Sequence, residues 1–249
     1  MESPFSIEES IRFGWLKLRA HNSLIFKVTL TVLLVQIGGT AAVKMLEHSP
    51  FVGAAHLLLF IIEAFVGVGA TVISLKLVRG AAAQYHDLVP PGKLVWRCLL
   101  SGFCSGAVIL LPMLLAAGFF GVVLVSLGVT HIGWVHGRDL LYWLPLFVAL
   151  AGVAAAALSF VVYFALRLSM VRYAILDGAH VVESLEKSSR ITRGVKGKLL
   201  LFVGVLVCLN ILGLLAFIVG LLVTIPVSAL AFAHVYTILN GRIEPPVQK

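Results

Sequence analysis

Charge is scarce in this chain. Asp, Glu, Lys and Arg make up 12% of the 249 residues, about half the share usual in a soluble domain. A water-soluble fold of this length has no means of burying a composition that is 60% hydrophobic, with a mean hydropathy of +1.07. Lipid must therefore surround most of the side chains. Acid is scarcer than base, with 11 Asp and Glu against 19 Lys and Arg. In a soluble protein that excess would suggest nucleic acid. Here the basic residues flank apolar blocks, so anionic lipid headgroups are the expected counter-charge and no nucleic acid is expected. Cysteine is limited to Cys98, Cys104 and Cys208, with no CxxC pair. All three fall in or beside apolar blocks and read as small packing residues.

Catalytic signatures are missing as well. There is no Walker loop, HExxH, GxSxG or pair of acids in the loops. The largest gap between apolar blocks, roughly Arg167–Lys198, is too short for a soluble catalytic domain. Neither an enzyme nor a cofactor is expected. The N-terminus, MESPFSIEES, is acidic and polar where a signal peptide has a basic region. The first apolar block is therefore expected to stay in the mature chain.

Long apolar runs dominate what is present. About 20 apolar residues cross a bilayer core of about 30 Å. Six such spans are expected at 24–43, 51–75, 98–127, 140–166, 199–219 and 221–239. The last two come from one stretch without Asp, Glu, Lys or Arg, divided by a hairpin placed near Val219–Leu221. Pro226 then falls within the sixth span. Sixteen of the 19 basic residues lie in the N-terminal segment, the gaps after the second and fourth spans, or the C-terminal tail, and Lys27 lies just inside the first span at the same end; Lys44 and Arg138 are the exceptions. That bias predicts a multi-pass protein of the inner or plasma membrane with both termini cytoplasmic. Only an even number of spans puts both basic termini on one side. Trp134, Tyr142 and Trp143 suit an interfacial belt at the outer end of the fourth span.

Two cytoplasmic segments have helical amphipathic spacing. Residues 1–23 carry Ser6 and Glu9 at capping-box spacing, then Ile7, Ile11, Trp15 and Leu18 on one side. In the basic loop 167–198, Ala179–Thr192 places Val181, Val182, Leu185 and Ser189 together. Glu9-Ser10-Ile11 aligns with Glu183-Ser184-Leu185, and Arg19-Ala20 with Arg193-Gly194. A shorter version, Lys93-Leu94-Val95-Trp96-Arg97, precedes the third span. The expected fold is an all-α bundle of six transmembrane helices, built as three hairpins each preceded by a cytoplasmic segment.

Few residues offer chemistry. Glu63 lies near the middle of the second span, where an acid costs about 2.5–3.5 kcal/mol on insertion scales and so faces protein or water. It is either a proton or substrate site or an interhelical hydrogen bond. His56, seven residues earlier, shares its face, and Asn210 lies at middle depth in the fifth span. Together with Gln36 and His234 they would line a polar path, or would make separate interhelical bonds. His131, His136 and Asp139 share one loop but match no zinc spacing, so no metal is expected. Arg167, Arg172, Arg190, Arg193, Lys196 and Lys198 are candidate contacts for lipid headgroups or a partner protein. Gly102 and Gly106 form a GxxxG, and Gly67, Gly69 and Gly152 add small residues suited to close helix contact, within the chain or in a homo-oligomer.

The stretch Arg172-Tyr173-Ala174-Ile175-Leu176-Asp177, then Glu183-Ser184-Leu185, then Ser188-Ser189-Arg190-Ile191-Thr192-Arg193-Gly194 resembles bacterial and archaeal six-span proteins related to the membrane domain of glycerophosphodiester phosphodiesterases. Tyr236-Thr237-Ile238-Leu239 is similar to that group's terminal Tyr-x-x-L, and Phe5-Ser6-Ile7 through Trp15 to its first segment. The chain has Asp177-Gly178 where a proline commonly follows. The resemblance implies a membrane domain that is not the catalytic part of such enzymes, and it transfers no catalytic residue. The functional expectation is an accessory, assembly or lipid-interacting membrane module. The alternative is a small-solute or proton-coupled transporter using Glu63.

Overall fold

A computed structural model describes residues 5–126 and 140–242. Every regular element among them is helical. α1 is Ile7–Ala20, α2 Asn22–Met45, α3 Val52–Val78, α4 Gly92–Ser126, α5 Leu140–Leu168, α6 Val171–Leu176, α7 Val181–Ile191, α8 Lys196–Leu215 and α9 Phe217–Gly241. Six of these are long and apolar enough to cross a membrane. The protein is an all-α, multi-pass integral membrane protein. Its surface agrees with that assignment, since Leu34 is 62% exposed and Leu114 69%. Side chains of that kind are stable outward only where the solvent is itself apolar.

The hairpin between the last two spans turns at Ala216, earlier than the Val219–Leu221 expected. No charge or proline marks a turn in that stretch. Packing chooses the position instead, since a methyl on Gly220 would overlap the Gly213 backbone and one on Gly213 would overlap the Thr224 side chain of α9. α4 and α9 run unbroken through Pro112 and Pro226.

α1 starts where Ser6 caps it, with the Ser6 hydroxyl accepting from the Glu9 N–H at 3.3 Å. Glu8 and Glu9 in its first turn and Lys17 and Arg19 in its last suit the helix dipole. α7 starts with a reciprocal cap between His180 and Glu183. In both helices small residues, joined at the end of α7 by Ile191, form the buried face. Ser10 and Gly14 are buried in α1, and Ser184 and Ser188 in α7. Trp15 is 39% exposed and Val182 78%. Ile7 and Ile11 still pack against one core cluster and Leu18 against another. The expected stripes in α1 and α7 are thus shared between core and surface. Backbones approach most closely where side chains are smallest, and a Cβ at Gly14 would lie 2.7 Å from the Val227 carbonyl of α9.

Three units pack around one another. α1 lies on α9, the short 3-10 turn Tyr85–Leu88 on α3, and α7 on α4 and α5. In the same sense α2 touches α9, α4 touches α3, and α8 touches α5. Gly69 permits the 3-10 turn to sit against α3, because any side chain there would overlap the Leu88 backbone. α3 and α9 also pack together, whereas among the described residues α5 makes no comparable contact with either. The core gathers at the end of the bundle where α3 and α9 finish. Met170, Leu199, Phe202, Ala231 and Tyr236 form one cluster there, and Ile25, Ile73, Leu77 and Leu230 a second.

Candidate functional site

The stretch from Arg167 to Thr192 folds into a clasp that places Arg172. α5 ends at Leu168, and α6 restarts after the turn Ser169-Met170. A helix terminus leaves carbonyl and N–H groups without helical partners. The Ser188 hydroxyl satisfies one of each, donating to the Arg167 carbonyl at 2.8 Å and accepting from the Met170 N–H at 3.2 Å. Thr192 Oγ1 donates to the Ser188 carbonyl at 2.9 Å. Arg167 Nε donates to the Ser189 hydroxyl at 2.5 Å. These serines and this threonine anchor α7 to the end of α5.

The far end of α6 is held as firmly. Asp177 takes a two-pronged hydrogen bond from Arg79, at 2.7 and 2.9 Å, and a third from the Tyr236 hydroxyl at 2.5 Å. Hydrogen bonding to Asp177 raises the pKa of Arg79 above the ordinary arginine value. Tyr173 stacks on Tyr236 with ring centroids 5.0 Å apart and on Phe232 at 5.9 Å. With Val171, Tyr173, Ala174 and Ile175 buried, Arg172 is left on the open side of α6.

There it lines a cavity of about 580 Å³ between α3, α4, α6, α8 and α9. Thr71, Ser101, Ser105, Ser169, Asn210 and Ser228 supply polar atoms, and Val203, Leu206, Val207 and Phe232 apolar surface. Arg172 is the sole charged group among the described residues of this lining, and it makes no hydrogen bond or ion pair with any of the described residues. Asn210 donates to the Leu206 carbonyl at 2.8 Å and to Ser228 Oγ at 2.9 Å. Since a carbonyl only accepts, the amide orientation follows. Ser228 accepts that bond, and its own hydroxyl hydrogen has no acceptor among the described residues.

Glu63 lies elsewhere. With His56, Thr40, Lys44 and Glu47 it lines a cavity of about 480 Å³ between α2 and α3. His56 Nδ1 is 2.9 Å from the Val52 carbonyl. Glu63 makes no hydrogen bond or ion pair with a described residue. The structure therefore brings Glu63 and His56 together, as their seven-residue spacing predicts, and puts Asn210 in the other cavity. Gln36 is exposed on α2, and His234 stacks on Phe13 at 4.0 Å. No single polar path links the five.

The six candidate basic residues separate by role. Arg167 serves the clasp and Arg172 the cavity. Arg190 pairs with Glu186 at 2.8 Å on the exposed side of α7, and Arg193 is exposed. Lys196 lies over the Tyr163 ring at 3.9 Å and Lys198 over Phe5 at 5.0 Å. Gly102, Gly106, Gly67 and Gly152 have open space where a Cβ would point, so of the small residues singled out only Gly69 sits in a tight crossing. His131, Trp134, His136, Arg138 and Asp139 lie outside the described residues, as do the side chains of Tyr142 and Trp143. Among the described residues, no three His, Cys, Asp or Glu are grouped to hold a metal.

Sequence reasoning missed the Arg79–Asp177–Tyr236 cluster, whose members stand far apart in the chain. It also missed the buried stripes Ser10/Gly14 and Ser184/Ser188. The available signal was the i, i+4 spacing of small residues, repeated at the same offset as the Glu9/Glu183 alignment. Compared with protein-family models, curated proteins and solved structures, the chain matches none.

Proposed function

We propose that this protein is a lipid-interacting accessory module of the inner or plasma membrane, with both termini and its basic loops on the cytoplasmic side. The observation that carries the reading is a cation without a counter-charge among the described residues, Arg172, in a part-apolar cavity at the same end of the bundle as exposed Arg190 and Arg193. A cation beside an anionic leaflet gains about 1 kcal/mol. The proposed relation to the glycerophosphodiester phosphodiesterase membrane domain fits this picture, since two stretches that carry the resemblance meet at Asp177 and Tyr236. No catalysis is proposed.

The test is lipid preference in mixed bilayers. The protein is placed in nanodiscs of phosphatidylglycerol and phosphatidylcholine, and the lipid retained around it is quantified. Enrichment of phosphatidylglycerol that falls when Arg190 and Arg193 are changed to Gln supports the reading. Equal retention of both lipids by the unaltered chain overturns it.

A second reading, a proton-coupled or small-solute transporter, is favoured by Glu63, without a partner among the described residues, in its own cavity with His56, Lys44 and Glu47. Proton-dependent flux in vesicles that is lost in Glu63→Gln would support it over the first.

A further inference from the structure

We propose that the cavity beside α6 holds one phospholipid, with its phosphate on Arg172 and part of an acyl chain against α8 and α9. This inference rests on the lipid-interacting reading and specifies its site. Three observations carry it.

First, the charge is unbalanced. Arg172 lines the cavity with no acid among the described lining residues and no hydrogen bond to a described residue. A guanidinium presents its donors in a planar fork that matches phosphate oxygens. Arg172 is exposed at this lining, so its guanidinium is open to an anion from outside the chain.

Second, further donors face the same space. The Ser228 oxygen accepts from Asn210 at 2.9 Å, and its hydroxyl hydrogen has no acceptor among the described residues. Tyr173 lines the cavity too, and its hydroxyl makes no hydrogen bond with a described residue. Ser101 and Ser105 spend their hydrogens on carbonyls of their own helix, at 2.8 and 2.7 Å. Their oxygens remain as acceptors for a headgroup hydroxyl.

Third, the remaining wall is apolar. Val203, Leu206, Val207 and Phe232 continue the lining along α8 and α9. Val207 is also 51% exposed on the lipid-facing surface. A free phosphate would leave that wall without a partner, whereas an acyl chain covers it. The volume, about 580 Å³, lies within the range of small-molecule sites, roughly 300–1,000 Å³. It admits a headgroup with a short length of chain, the rest lying in the bilayer.

The experiment is native mass spectrometry of the full chain released from detergent with added dioleoylphosphatidylglycerol. One lipid should remain bound to the unaltered chain. Arg172→Gln should weaken that adduct about tenfold, the loss of roughly one charge-assisted contact. Arg172→Lys should recover part of it. Gly102→Leu supplies an independent variant, because nothing lies within 4 Å of a Cβ there, so the leucine fills cavity space without displacing backbone. It should abolish the adduct while leaving the melting temperature of the lipid-free protein unchanged. An adduct untouched by Arg172→Gln and Gly102→Leu overturns the proposal. So does equal competition by inorganic phosphate or glycerol phosphate, which would identify a soluble anion instead of a lipid. The surface reading fails separately, on the Arg190 and Arg193 variants, and a single lipid lost with Arg172→Gln would survive that failure.

Discussion

The Tyr236 hydroxyl donates a 2.5 Å hydrogen bond to Asp177, 59 residues earlier in the chain, and Arg79 grips the same carboxylate with two more. Three elements, α3, α6 and α9, are tied at one end of the bundle by a group only 13% exposed. Hydrogen bonds to a charged group are worth about 1.5–3 kcal/mol each. Tyr236→Phe keeps the ring stack on Tyr173 and removes only the hydroxyl, so it should destabilise the protein by about that amount in detergent unfolding. The pKa of Arg79 is raised, so the stability it contributes is fully present below the ordinary arginine value and is lost only as pH rises through the higher folded one. The difference in stability between the unaltered protein and Arg79→Met should therefore not fall between pH 7 and pH 9 through any titration of Arg79.

Ser188 has two roles at the end of α5. Ser188→Ala removes the acceptor for Met170 N–H and the donor to the Arg167 carbonyl, and leaves both groups in a buried turn. A cost of about 1–3 kcal/mol is expected. Val182→Ala, at a site 78% exposed, should change stability by less than about 0.5 kcal/mol. Thermal unfolding of the two variants separates the polar stripe of α7 from the apolar stripe that its periodicity suggests.

Gly14 sets the distance between α1 and α9. A Cβ there meets the Val227 carbonyl at 2.7 Å and the Ala231 nitrogen at 3.2 Å. Backbone cannot yield as a flexible side chain can, so Gly14→Val should cost about 1–3 kcal/mol through overpacking. Limited proteolysis should then cut within α1 sooner than in the unaltered protein. Unchanged cleavage would show that α1 tolerates a looser seat.

Orientation is open to direct measurement. In a chain with Cys98, Cys104 and Cys208 changed to Ala, single cysteines replacing Lys93, Arg190 and Lys44 should divide two against one. The first two should react with an impermeant thiol reagent from the cytoplasmic side, and Lys44→Cys from the other. Reaction of Lys93→Cys and Arg190→Cys on opposite faces would refute the proposed topology.

Hydropathy and charge are additive along a chain, which is why so much of the architecture is legible without coordinates. Six apolar helices, the absence of any strand among the described residues and the shared face of His56 and Glu63 follow from composition and from a helical period of 3.6 residues. The turn at Ala216 does not, because nothing polar marks it. The choice of Ser10 and Ser184 as inward positions does not either. A hydrophobic stripe measures preference for apolar surroundings, and in a membrane the outward surroundings are apolar too. Only tertiary packing decided which helix faces meet each other and which meet lipid. It alone drew Asp177 to Arg79 and Tyr236, gave Arg172 a cavity without an acid, and sent Asn210 and Glu63 to separate sites. Such pairings depend on which helices are neighbours and at what depth, and no local pattern of residues encodes that.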